Sequence, residues 1–222
     1  MVRKSDGGGP VRLGRQGEVD VARRTREQTE ALRRQIVEEA LRQFADVGVE
    51  ASAMVGIARE VGISKQALMH HFPNKAALAE AVHDRIQEVS DRVLPKMVAA
   101  FTAEDAQIDG IFAELDDVLT SNIDIVRYTL RKMVFGIEMP KPASGDAMVM
   151  LMLDFLRRKQ DEGTFRRDMD PMNVMFHLSL MFLGTYAAPQ DHAARLMNIS
   201  EEEVRHRRSK ELLRIARAAL LV

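Results

Sequence analysis

Two adjacent histidines, His70 and His71, stand near the end of the stretch GISKQALMHHFPNK, residues 62–75. Imidazoles ligate metals, move protons or donate hydrogen bonds to anions, so three chemistries are open at the outset. A helical metal pair sits at i,i+3 or i,i+4, because adjacent residues point about 100° apart. No third ligand lies nearby in sequence and the chain contains no cysteine. No metal site is therefore expected. No nucleophile–base pair or phosphate-cradling loop stands out either, so neither catalysis nor a cofactor is expected. What remains is a polar surface for holding a partner, with Lys65, Gln66, His70, His71 and Lys75 gathered within residues 65–75.

The elements that must present this surface are short and sharply punctuated. Leu32, Ile36, Ala40 and Phe44 recur every four residues, the stripe of an amphipathic helix, and Gly48 ends it. Ser52 is placed to cap a second helix over 53–60, which Gly62 breaks. Ser64 caps a third, Pro73 terminates it, and Asn74 caps a fourth beginning at Lys75. On a helical projection of the third segment, Lys65, Gln66, Met69 and His70 share one face. Ala67, Leu68 and His71 share the other. Two short helices joined by a glycine turn match a helix-turn-helix, with the motif over 53–72. Such a unit lays its second helix in the major groove of DNA. Lys65 and Gln66 then reach base edges or phosphates, while His70, His71 and Lys75 suit phosphates. Geometry alone fits an ordinary surface helix as well.

Residues 30–90 resemble the DNA-binding domain of TetR-family transcriptional regulators. The resemblance rests on Ala40, Phe44 and Gly48, then Ile57, Ala58, Gly62, Ile63 and Ser64, then Leu68, His70, His71, Phe72, Lys75 and Leu78, in matching order and spacing. It implies DNA contacts from Ser52, Ser64, Lys65, Gln66, Met69, His70, His71 and Lys75. Two departures bear on affinity. Met69 stands where a tyrosine commonly touches phosphate, and a thioether cannot donate a hydrogen bond. Ala53, Val55 and Gly56 stand where polar residues often help to hold DNA. A basic tail over residues 1–28, with Arg23, Arg24 and Arg26, offers compensation through the minor groove.

Beyond residue 90 the chain reads as helical throughout, with segments near 106–120, 123–136, 145–161, 171–187 and 201–220. No alternating strand pattern appears, so the expected class is all-α: a three-helix DNA-binding domain over 30–90 and a larger helical domain over 91–222. Eleven of the 14 methionines fall in the larger part. AMVMLMLDFL and NVMFHLSLMFLGTY are apolar on nearly every side, which suits buried helices and an adaptable pocket wall. Tyr128, Met150, Phe155, His177, Met181 and Tyr186 are the candidate effector contacts. The resemblance implies a homodimer through the last two long helices, with Leu212, Leu213, Ala216 and Leu220 as candidate interface residues.

Net charge is −1, with 13 Lys+Arg against 10 Asp+Glu in residues 1–75 and the acidic excess beyond. No apolar run reaches the ~20 residues that span a bilayer, and no signal peptide is readable. The expectation is a cytoplasmic, homodimeric regulator, a repressor released from double-stranded DNA by a small apolar or amphipathic effector. The alternative is an all-α small-molecule-binding protein with weak or lost DNA binding.

Overall fold

The computed structural model describes residues 15–102, 105–135 and 144–221. Among these the chain forms ten helices: α1 (Arg15–Val47), α2 (Met54–Val61), α3 (Lys65–His71), α4 (Lys75–Thr102), α5 (Asp105–Thr120), α6 (Ile123–Phe135), α7 (Ser144–Asp161), α8 (Pro171–Ala187), α9 (Asp191–Met197) and α10 (Glu201–Leu220). One isolated β-bridge joins Phe165 to Leu221. The all-α expectation holds.

The boundaries around the short helices follow from local chemistry. Gly62 ends α2 in the left-handed region at φ 79°. The Ile63 N–H closes back onto the Ala58 carbonyl at 2.9 Å, the bond that satisfies an otherwise orphaned carbonyl. Ser64 Oγ accepts from the Ala67 N–H at 3.0 Å and starts α3. Asn74 Oδ1 accepts from the Ala77 N–H at 2.9 Å and starts α4.

Three expectations need correction. The tail assigned to residues 1–28 is helical from Arg15 onward, and residues 1–14 lie outside the described residues. Residues 15–28 have no apolar stripe, but they are rich in helix formers and extend a helix already nucleated by packing. Arg23 and Glu27 approach to 3.6 Å at i,i+4. Ser52 does not cap α2: it is buried, and its hydroxyl donates to the Gly48 carbonyl at 2.7 Å. Ala53 occupies the N-cap without a side-chain bond. Finally, α8 is not buried on every side. Met172, Phe176 and Met181 are exposed, at 49%, 43% and 42%.

The main core begins with Ile36, Ala40 and Phe44 of α1. It takes in Ile57, Leu68, Phe72, Leu78 and Val82 and continues without a gap to Leu115, Val126, Tyr128 and Phe182. α4 runs unbroken past residue 90 and through Pro95. The N-terminal helices and the larger helical body are therefore packed into one another. A second cluster joins Met152, Leu156, Phe165, Val174 and Leu220 under α7 and α8.

Candidate nucleic-acid interface

α3 is seven residues long, too short to be stable alone, so its position depends on what it packs against. Leu68 is fully buried among the residues of α1 and α2, and Ala67 is half-buried. Phe72, just past the helix end, is buried beneath the Arg33 guanidinium of α1, whose carbon lies 4.2 Å from the ring centroid. Arg33 Nη1 also donates to the His71 carbonyl at 3.3 Å. This cation lies at the C-terminal end of α3, where the helix dipole favours it. Arg33 was not singled out from the sequence; its place beside the stripe residue Leu32 was the available signal.

With that face fixed inward, Ser64, Lys65, Gln66, Met69 and His70 are exposed, and His71 is half-buried. The rings of His70 and His71 meet edge to face, with centroids 5.8 Å apart. Among the described residues, no group of three or more His, Asp or Glu side chains converges as a metal site would need. Lys65 has no ion-pair partner among the described residues, so its charge is available to an anion. On α2, Val55 is 60% exposed and offers an apolar contact. Arg59 pairs with Glu60 at 3.1 Å.

Two of the expected DNA contacts have other partners. Ser52 is withdrawn into the core, as described above. Lys75 Nζ donates to the carbonyls of Val49, Glu50 and Ser52 at 2.9, 2.9 and 3.1 Å. An ammonium has three protons, and here three carbonyls accept them. Lys75 thus clasps the α1–α2 turn to the start of α4 instead of reaching outward.

The candidate effector residues do not converge on one pocket. Tyr128 packs against Phe44 with ring centroids 6.4 Å apart, and burial pushes its phenol pKa upward. Tyr186 is also buried; burial first of all pushes its pKa up to about 12, and Ser209 Oγ donates to its oxygen at 3.3 Å. Phe155 meets Phe165 edge to face at 6.0 Å. Met150 and Met181 are exposed. His177 is exposed too, with Nδ1 2.7 Å from the Asn173 carbonyl one turn back. Among the described residues, a small, half-open apolar pocket of about 40 Å³ lies between α4, α5, α8 and α10. Met97, Phe112, Leu178, Phe182 and Leu213 are among its wall residues. The pocket expected between 145–161 and 171–187 involves side chains at 145–149 and 151 that lie outside the described residues. Met152 and Met175 join the second core cluster, and Met150, Met172 and Met181 are exposed.

The candidate interface residues also face inward. Leu212, Leu213, Ala216 and Leu220 are all buried within the chain itself, at 9% exposure or less. The outer side of the same helix pair is a shallow groove of about 430 Å³. It is lined by Leu180, Met181, Gly184 and Thr185 of α8 and by Arg208, Glu211, Leu212 and Ile215 of α10. Ile215 is 45% exposed. The signal for this face was present in the sequence as a second apolar row on α8, Phe176–Leu180–Gly184, four residues apart.

Comparison with known proteins agrees with this arrangement. Residues 36–82 match the family model for bacterial regulatory proteins of the tetR family. HTH-type transcriptional regulator TtgR of Pseudomonas putida is 37% identical over 73 residues, which cover 33% of this chain and 35% of that protein. The chain thus spans about a third of the length of this curated relative. Two solved structures share the fold over most of the chain. One is ketosteroid transcriptional regulator KstR2 of Mycobacterium tuberculosis (TM-score 0.59, 18% identity, 86% of this chain and 95% of that one). The other is a TetR family transcription regulator from Marinobacter aquaeolei VT8 (TM-score 0.58, 18% identity, 88% of this chain and 98% of that one). Residues 36–82 are the N-terminal helix-turn-helix domain of the tetR family of bacterial regulatory proteins, carried on an all-helical frame of that family's fold.

Proposed function

We propose that the protein is a transcriptional regulator that binds double-stranded DNA as a two-fold dimer and is released from it by a small apolar molecule. The observation that carries the first part is α3. It is a capped helix, pinned from behind by Leu68 and Phe72, that presents Lys65, Gln66, Met69 and His70 outward. In this reading Gln66 pairs with adenine in the major groove, and Lys65 contacts guanine or a phosphate. His70 and the Ser64 end of the helix lie against phosphates, and Met69 makes an apolar contact. His71, half-buried, contacts DNA only at the margin. The reading head is taken as residues 30–90 and the regulatory body as 91–222, with α4 belonging to both.

The groove between α8 and α10 is the proposed face between subunits. It is lined mostly by apolar side chains together with the oppositely charged Arg208 and Glu211, which suits a two-fold contact between like surfaces. The effector enters the small cavity between α4, α5, α8 and α10. A cavity that accepts benzene measures about 150 Å³, so the walls of this pocket of about 40 Å³ must part for a ligand of that size to bind. That parting is the differential contact that lets a ligand favour one arrangement of the dimer over another.

Selection from a random-sequence duplex pool tests the DNA reading. The wild-type protein should enrich a palindromic sequence with half-sites about 34–36 Å apart. Recovery of no sequence in preference to the pool would favour the alternative, a small-molecule-binding protein without DNA recognition. Val55 and Met69, apolar on the DNA-facing side, motivate that second reading.

A further inference from the structure

The turn between α1 and α2 accounts for nearly all of its carbonyls in an unusual way. A helix leaves its last carbonyls without intrahelical partners. Here the Gly48 carbonyl is taken by the Ser52 N–H at 3.2 Å and the Ser52 hydroxyl at 2.7 Å. Lys75 takes those of Val49, Glu50 and Ser52. At the end of α1, the Gly48 N–H takes the Phe44 carbonyl, and those of Asp46 and Val47 are taken by Arg131, which lies on α6 in the larger body. Its Nη1 donates to Asp46 O at 3.2 Å and its Nη2 to Val47 O at 3.1 Å.

The guanidinium packs beside Gly48, which has φ 91°. A Cβ at that position would stand 3.4 Å from Arg131 Nε and Nη2. That is ordinary contact distance, so the glycine is required by the left-handed backbone and the cation packs directly against it. The contact does not stand alone. Tyr128, three residues earlier on α6, packs on Phe44 of α1. At the other end of the contact, Arg85 of α4 bridges Glu38 at 2.7 Å and Asn122, just ahead of α6, at 2.8 Å. α6 is thus fastened along α1 in the same direction, and Arg131 is the fastening nearest the turn that feeds α2.

We propose that Arg131 is a positioning residue for DNA reading: by holding the Asp46 and Val47 carbonyls across Gly48, it fixes from the larger body the angle at which α2 and α3 meet DNA. The inference rests on the DNA-binding reading above. A cation directed into backbone carbonyls contributes no phosphate contact. Its loss should therefore lower selectivity and leave the electrostatic part of binding untouched.

The test uses the full chain and the duplex selected by the wild-type protein. Affinity for selected and unselected duplexes is measured by fluorescence anisotropy across a salt series, at a temperature where circular dichroism shows each variant folded. Arg131→Gln should bind the selected duplex about tenfold more weakly, with unselected binding and the slope of log K against log salt as in wild type. Arg131→Lys, which keeps a cation but not the planar fork, should fall between the two. Wild-type selectivity in Arg131→Gln overturns the inference. So does a slope reduced by about 0.9, the mark of a lost phosphate contact. If Arg131→Gln does not fold, Arg131→Lys is judged by the same criteria: weakened selected binding at unchanged slope supports the inference, and wild-type selectivity overturns it. Failure of the wild-type protein to select any duplex removes the DNA-binding reading and this inference with it. Selection followed by an indifferent Arg131→Gln removes this inference alone.

Discussion

Lys65 and Lys75 show how two lysines of one motif come to have different work. Lys65 stands exposed at the start of α3, whereas Lys75 holds three backbone carbonyls of the α1–α2 turn. From the sequence both read as cations available to DNA, because a motif fixes spacing but not what the end of a long flexible side chain touches. Their alanine variants should separate. Lys65→Ala should reduce the salt slope by about 0.9 for each subunit bound, since each phosphate contact releases that much counterion. Lys75→Ala should leave the slope unchanged and lower stability, because hydrogen bonds to a charged group contribute about 1.5–3 kcal/mol and here half-buried carbonyls lose their donor. A denaturant melt beside the binding titration reads both quantities. A reduced slope in Lys75→Ala would return that residue to the DNA surface. Leu68 sets the other limit at this scale. It is fully buried, and Leu68→Ala should cost about 3 kcal/mol through lost burial and a residual cavity. A loss below about 1 kcal/mol would mean that α3 is not held by this side chain.

At the scale of the helix, legibility depended on whether an element was bounded by local chemistry. Gly62, Ser64, Pro73 and Asn74 each act within a few residues of themselves, so α2, α3 and the start of α4 could be placed from sequence. α9 was missed. Its Asp191–Met197 span is too short for a periodic stripe, and its end relies on Asn198 in the left-handed conformation at φ 53°, which asparagine tolerates but does not announce. The Asp191–Arg195 pair, 2.9 Å apart at i,i+4, was the available signal. On α10 the apolar residues were legible and their destination was not. One broad face serves equally well against the chain's own core or a partner, and the structure assigns Leu213 inward and Ile215 outward. The prediction for assembly changes accordingly. Leu213→Glu should unfold the chain, since an unpaired buried carboxylate costs several kcal/mol. Ile215→Glu together with Met181→Glu should leave a folded monomer by sedimentation. An intact dimer in that double variant would place the interface elsewhere.

Across the whole molecule, the continuity of one core from α1 to α8 means that the helix-turn-helix domain and the larger helical body cannot reorient without repacking shared side chains. This part was not legible from the sequence. The apolar stripes of α1 and α6 can each be read, but their pairing is a long-range contact, and Arg131 carries no local mark of its target. Under the proposed function, the small pocket sets a condition on regulation: an effector the size of benzene has to widen it before it can act. Binding at 100 times the dissociation constant should raise stability by about 2.7 kcal/mol. A thermal-shift screen of lipids and hydrophobic aromatics against the full chain should therefore find stabilisers, and these should weaken DNA binding. Ligands that stabilise the chain and leave its DNA affinity unchanged would separate the cavity from regulation. The central claim is that α3 reads DNA sequence. It is tested most directly by the ratio of affinities for selected and unselected duplexes, compared between wild type and Gln66→Ala. Specific binding by such proteins exceeds non-specific binding by roughly 10³-fold or more. The account predicts a ratio of that order for wild type. It also predicts a selective fall in Gln66→Ala of roughly 10- to 100-fold, equivalent to the ~1–3 kcal/mol of one bidentate base contact. A wild-type ratio near one, or a ratio that Gln66→Ala leaves unchanged, would contradict it.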